Sequence, residues 1–151
     1  MTDIFPKRKR GEIMSHIKSK NTAVELLVFR HLRARGISCR KHYSRISGNP
    51  DVALPRKKKA IFIDGDFWHG HRFTKLKKRL PRKYWLVKIE NNIKRDKKNR
   101  AKLKKDGWKI LRIWEHDLLK RKEESLKRIV KFLTEEKQSK FSPTVKKYLI
   151  K

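Results

Sequence analysis

Gly48-Asn49-Pro50-Asp51-Val52-Ala53-Leu54, a basic turn over 55–59, and Ala60-Ile61-Phe62-Ile63-Asp64-Gly65-Asp66-Phe67-Trp68-His69-Gly70-His71 form the stretch that decides the fold. The apolar runs 52–54 and 60–63 are too short for helices. Pro55 and four basic residues separate them, so two paired strands joined by a solvated turn are expected. Asp51 then opens one strand and Asp64 closes the next. In an antiparallel pair, the start of one strand lies beside the end of its neighbour, which brings the two carboxylates to one sheet edge. Converging carboxylates are the donor set of a hard divalent cation such as magnesium.

Outward from this stretch, the flanking sequence supplies helices. Thr22 followed by Glu25 is a capping-box pattern, and Val24, Leu27, Val28, His31 and Leu32 repeat at helical spacing until Gly36. Before it, residues 12–18 form a short helix, preceded by a mobile basic arm over 1–11. Residues 37–43 alternate well enough to be a first strand. Residues 72–109 hold 17 Lys or Arg against three acids, Glu90, Asp96 and Asp106. Within them a long helix is expected, with Pro81 near its start and Gly107 at its end. Residues 108–115 are rich in apolar and aromatic side chains and return as a strand, parallel to its neighbour because a helix connects them. A last helix runs over roughly 117–136, and 137–151 is a basic tail. The result is one α/β domain over 12–136, a central mixed sheet flanked by helices.

Composition limits the partners. The 151 residues carry 45 Lys plus Arg against 15 Asp plus Glu, a net charge of +30, and 36% hydrophobic residues. That apolar share supports a buried core, and the charge implies a densely anionic partner, nucleic acid before membrane. No apolar run approaches the ~20 residues of a spanning helix, and no signal peptide is recognised. One cysteine, Cys39, forbids an internal disulfide and suits a reducing compartment. A cytoplasmic, nucleoid-associated monomer is expected.

Each acid has a structural reading of its own. Capping accounts for Glu25, Pro-Asp fits a strand opening at Asp51, and Asp64 and Asp66 fit a strand end followed by a turn. Together they weigh differently, because a chain this basic places three of its 15 acids at the ends of two adjacent strands. Carboxylates facing a phosphodiester repel it unless a divalent cation reverses the sign, polarises a phosphoryl oxygen and lowers the pKa of water. His69 is placed to move a proton, with Glu25 orienting it if the first long helix packs alongside. Phe67 and Trp68, beside two glycines, fit either loop packing or contact with nucleobases, and Trp85 fits the same pair of roles.

Asp51, the run 61–71, Tyr84-Trp85-Leu86-Val87-Lys88-Ile89-Glu90-Asn91-Asn92-Ile93-Lys94-Arg95-Asp96, Leu103, Gly107-Trp108 and Trp114-Glu115 together resemble the very-short-patch repair endonucleases, Vsr. The resemblance covers roughly residues 8–120. It implies a restriction-endonuclease-like α/β fold of the PD-(D/E)XK class. It further implies a magnesium-dependent nick in duplex DNA, 5′ to the thymine of a T:G mismatch left by 5-methylcytosine deamination. By motif position, Asp51 and the Ile63 carbonyl hold the magnesium, His69 and Glu25 handle the water, and Asp64 acts on the metal or in proton transfer. Phe67, Trp68 and Trp85 insert beside the mismatch, with Asn92 and Arg95 on the DNA. Two departures stand out. Asp64-Gly65-Asp66 lacks the acid-x-Lys lysine of the class. The positions matched to a structural zinc in the well-studied branch read Asp66, His71, Phe73 and His116, so structural zinc is not expected. A non-cutting DNA-binding protein and a structure-specific nuclease of the same fold are the alternatives.

Overall fold

Four strands, β1 (Arg40–Lys41), β2 (Val52–Leu54), β3 (Lys59–Asp64) and β4 (Lys109–Trp114), form one sheet in that order. The computed structural model describes residues 6–16, 20–66, 69–71, 73–76, 78 and 84–136. β1–β2 and β2–β3 pair antiparallel, and β3–β4 pair parallel with Asp64 opposite Trp114. The parallel step requires a crossover, which the long basic helix α4 (Tyr84–Lys105) supplies. The other helices are α1 (Lys7–His16), α2 (Ala23–Ala34), the short α3 (Phe73–Leu76), α5 (Glu115–Lys120) and α6 (Lys122–Thr134). The architecture is the α/β, restriction-endonuclease-like arrangement expected from the sequence. Among the described residues, no helix is long and apolar enough to cross a membrane.

One face of the sheet meets α2, α5 and α6. Val28, Leu32, Val52, Ile61, Ile113, Leu118, Ile129 and Leu133 form a continuous core there. Each such side chain contributes roughly 1.5–3 kcal/mol through removal of apolar surface from water. The opposite face receives α4, whose Ile89 and Leu103 are fully buried. α4 ends as its glycine predicts: Gly107, at φ +85, lets Gly107 N–H donate to Lys104 O and Trp108 N–H to Leu103 O. The buried Lys59 closes the far end of the domain, its Nζ donating to Phe132 O at 2.7 Å and to Glu135 O, at the C-terminus of α6.

Four boundaries differ from the sequence reading, each for a local reason. α1 begins at Lys7, inside the segment read as an arm, because Lys and Arg are good helix formers and Pro6 stands just before the first turn. The strand expected over 37–43 is regular only at Arg40–Lys41, since His42 adopts φ +46 and turns the chain out of the β region. Its ladder persists irregularly through His42 N–H to Asp51 O and Tyr43 N–H to Pro50 O, both 3.0 Å. The basic turn is a single 3₁₀ turn, Pro55–Lys57, closed by Lys58 in the left-handed region. The helix expected over 117–136 is two helices broken at Arg121, whose φ −128 and ψ 52 are not helical. Asp117 holds that corner, accepting Arg121 N–H and Ser125 Oγ–H on its carbonyl and the Arg121 guanidinium on its carboxylate.

Candidate active site

Asp51 immediately precedes β2, and its Oδ2 accepts the Ile63 N–H of β3 at 2.7 Å. This single bond ties the start of one strand to the end of the next, so Asp51 and Asp64 converge as the antiparallel pairing requires. They meet at the ends of the two middle strands rather than on an outer edge. A cleft of about 1010 Å³ opens there. Glu25, Asp51, Ile63, Asp64, His69, Asn92 and Arg95 all line it, together with Lys88, Asp96, Asn99 and Arg100. Burial drives the Asp51 carboxyl up to about 7, against the Ile63 hydrogen bond, and the nearby Glu25 and Asp64 charges push the same way.

Glu25 serves its helix and the cleft at once. Its N–H donates to Thr22 Oγ1 at 3.4 Å, and its Oε2 accepts the Asn21 N–H at 2.8 Å, a near-reciprocal cap. The same carboxylate is buried, 4% exposed, and stands 3.4 Å from His42 Nε2. Among the described residues, Glu25, His42 and Asp51 form a set of three potential ligands with donor atoms within 4.8 Å of one another. Two carboxylates and an imidazole suit a divalent cation, and the neighbouring Glu25 and Asp64 charges around the half-buried Asp51 favour one.

His69 is held by a different acid than Glu25. Its Nδ1–H donates to Asp96 Oδ2 at 2.5 Å, and Asp64 Oδ1 lies 3.6 Å away. Burial alone would lower the imidazole pKa, but the Asp96 hydrogen bond and the Asp64 and Asp96 charges outweigh it and raise it. The same pair depresses Asp96 despite its own burial. Gly70 makes this meeting feasible: at φ +73, a Cβ there would stand 2.4 Å from Ile93 Cδ1, so the loop seats on α4 only without a side chain.

Asp64 forms an ion pair with Arg112 Nε on β4. Arg112 also reaches His69 O at 3.5 Å and lies 3.9 Å over the Trp114 ring. The column continues from Trp114 to His71, 4.9 Å, and from His71 to His116, 4.2 Å, while His116 Nδ1–H donates to Asp66 Oδ1 at 2.8 Å. Asp66, His71, Phe73 and His116 do not fit a tetrahedral zinc: Phe73 offers no ligand atom, and Asp66 and His116 are bonded to each other. Ring contacts and hydrogen bonds from Arg112 and to Asp66 join the loop to β4 and α5 instead.

Replacing Arg112 by Met is expected to lower unfolding free energy by about 3–5 kcal/mol, because the 5%-exposed Asp64 loses its partner. Urea unfolding of the variant measures it, and Arg112→Met with Asp64→Asn should recover part of the loss.

Of the aromatic residues read as DNA contacts, Phe67 and Trp68 lie outside the described residues. Trp85 is buried on α4, edge-on to Tyr84 at 4.9 Å. Sequence reading missed His42, Asp96 and Arg112 as members of the site. Two signals were there: Asp96 is one of three acids in a densely cationic segment, and Arg112 is a charge inside the apolar run 110–114.

The family described as DNA mismatch endonuclease Vsr matches residues 2–75. A type II nicking enzyme of Neisseria meningitidis serogroup A, V.NmeAIP, is 41% identical over 78% of this chain and 85% of its own. V.HpaIIP of Haemophilus parainfluenzae, also a type II nicking enzyme, is 39% identical over 82% and 89%. The DNA mismatch endonuclease Vsr of Escherichia coli K12 is 32% identical over 76% and 74%. The chain therefore belongs to the Vsr family of DNA mismatch endonucleases.

Proposed function

We propose that this chain nicks one strand of duplex DNA on the 5′ side of the thymine in a T:G mismatch, with magnesium as the working cation. The reading rests on one observation above others: Glu25, Asp51 and Asp64, three scarce carboxylates, line the same cleft as His69, Lys88, Arg95 and Arg100 in a chain of net charge +30. Basic residues attract the phosphodiester, whereas a pure binder gains nothing from carboxylates beside it.

Asp51 and the Ile63 carbonyl are the groups assigned to hold the cation, with Asp64 on the metal or in proton transfer and Glu25 with His69 on the water. When bound, the cation supplies charge neutralisation at the scissile phosphate and a more acidic water. His69 then works through Nε2, because Asp96 engages Nδ1–H. Its raised pKa keeps that nitrogen protonated nearer neutrality, which favours donation of a proton to the leaving oxygen over removal of one from water. Arg112 holds Asp64 and the His69 carbonyl and so fixes the imidazole from behind. Asn92 and Arg95, on the cleft side of α4, are assigned to the DNA backbone, and Phe67 and Trp68 to the mismatched step, while the buried Trp85 is left to packing on α4. A mismatched step costs less to unstack than a paired one, which gives the wedge its selectivity. A monomer acting in the cytoplasm completes the reading.

The test is strand-specific nicking of labelled duplexes, one fully paired and one with a single T:G pair, each with magnesium and with chelator. Cutting beside the mismatched thymine that chelator abolishes supports the proposal; equal cutting of both duplexes moves it to a structure-specific or general nuclease. Trp68→Ala should reduce discrimination between the two duplexes about tenfold, within the ~1–3 kcal/mol of one aromatic–base stack, while total binding falls less. Equal losses in both quantities would remove the wedge from the mechanism.

A further inference from the structure

We propose that His42 is a nitrogen ligand of the cation held at Asp51, and that it biases the site toward manganese over magnesium. The proposal rests on the cation-dependent reading above and assigns a residue which that reading leaves out.

The ring orientation carries it. His42 Nε2 faces two oxygens, Asn21 Oδ1 at 3.2 Å and Glu25 Oε2 at 3.4 Å. Both accept, so the proton of the neutral ring belongs on Nε2, and Nδ1 keeps its lone pair. Nδ1 points at Asp51 Oδ1 across 3.9 Å. That gap exceeds a hydrogen bond, yet two ligands bound at ~2.1–2.2 Å to one ion stand about 3–4 Å apart. A ring nitrogen lone pair facing an Asp51 oxygen across a gap too long for a hydrogen bond is an arrangement that a cation completes. The backbone holds the ring in place: His42 N–H donates to Asp51 O at 3.0 Å, its φ is +46, and Phe29 packs edge-on at 5.6 Å. Glu25 and Asn21 on the remote nitrogen match the outer hydrogen bonds that orient metal-bound histidines. Imidazole nitrogen disfavours magnesium, which prefers oxygen and water, more than manganese, the first member of the divalent transition series whose affinity for nitrogen then rises.

Pulsed electron paramagnetic resonance of the full chain loaded with Mn2+ reads the bond directly. Wild type should show nitrogen modulation of a bound imidazole that changes on labelling histidine with ¹⁵N. The modulation should vanish in His42→Gln and persist in His69→Gln. In parallel, calorimetry should give a Mn2+-over-Mg2+ affinity ratio about tenfold lower in His42→Gln. Bound Mn2+ without histidine modulation in the wild type overturns the assignment of His42 and leaves the cation-dependent reading intact; modulation lost only in His69→Gln does the same. Absence of Mn2+ binding, together with nicking that survives chelator, overturns both. Because the isotope test uses the unaltered chain, it stands even where a variant fails to fold.

Discussion

Asp51→Ala is expected to lower nicking of mismatched duplex by at least ~10³-fold, equivalent to the several kcal/mol of charge stabilisation that a lost cation withdraws. Binding of the same duplex should hold or tighten, because one carboxylate facing phosphate is gone. Single-turnover nicking beside a binding titration measures both, and full activity in the variant would end the cation proposal. The raised Asp51 pKa sets the pH behaviour. In the folded chain this carboxyl keeps its proton up to about 7, whereas the unfolded chain releases it near the ordinary aspartate value. Without a cation, stability therefore falls as pH rises between those two values and levels off above about 7. Divalent-cation affinity runs the other way, because ligation displaces the proton. It should weaken by about tenfold per pH unit below 7. Thermal melts with and without cation across that range should diverge as pH rises.

Asp96→Asn is the second large effect. His69 loses the partner that holds Nδ1–H and raises its pKa, so activity should drop by about 10²-fold, within the range of proton-transfer catalysis. The pH–rate profile separates a positioning role from simple destabilisation. With His69 as proton donor, the limb at which activity declines with rising pH marks loss of the imidazolium. That limb should move to lower pH in Asp96→Asn, since the charge that held the proton is removed. An unshifted limb with reduced activity would assign Asp96 to structure alone. His69→Ala should cost as much or more, and the double variant should fall no further than His69→Ala, as for groups acting as one unit.

Local patterns in the chain carried far. The two short apolar runs, the capping signal at Thr22 and Glu25, Gly107 at the end of α4 and the helix between two apolar strands each act over a few residues, and each holds in the structure. Antiparallel pairing of β2 and β3 follows from their short connection, and that pairing alone brings Asp51 and Asp64 together. Where local signals conflict, the sequence reading failed: alternation over 37–43 did not reveal the left-handed turn at His42, and continuous periodicity after 117 hid the Asp117 corner that splits α5 from α6.

The partners of the catalytic groups are another matter. His69 and Asp96 are 27 residues apart, and Asp64 and Arg112 are 48 apart. Their meeting depends on the rotation of α4 about its axis as it crosses the sheet and on the parallel register of β3 with β4. Those quantities are set by how Ile89, Ile93 and Leu103 pack and by the close seat of Gly70 on α4. Glu25 shows the division in one residue. Its place in a cap is dictated by Thr22, three positions away, whereas its approach to His42 exists only because α2 packs against the sheet that carries Asp51. From sequence alone came the charge, the strand pair, the acids at its ends and the class of fold, all set by short-range periodicity and composition. Tertiary packing decided which base each acid holds, because that choice rests on helix phase and strand register, which no local period encodes.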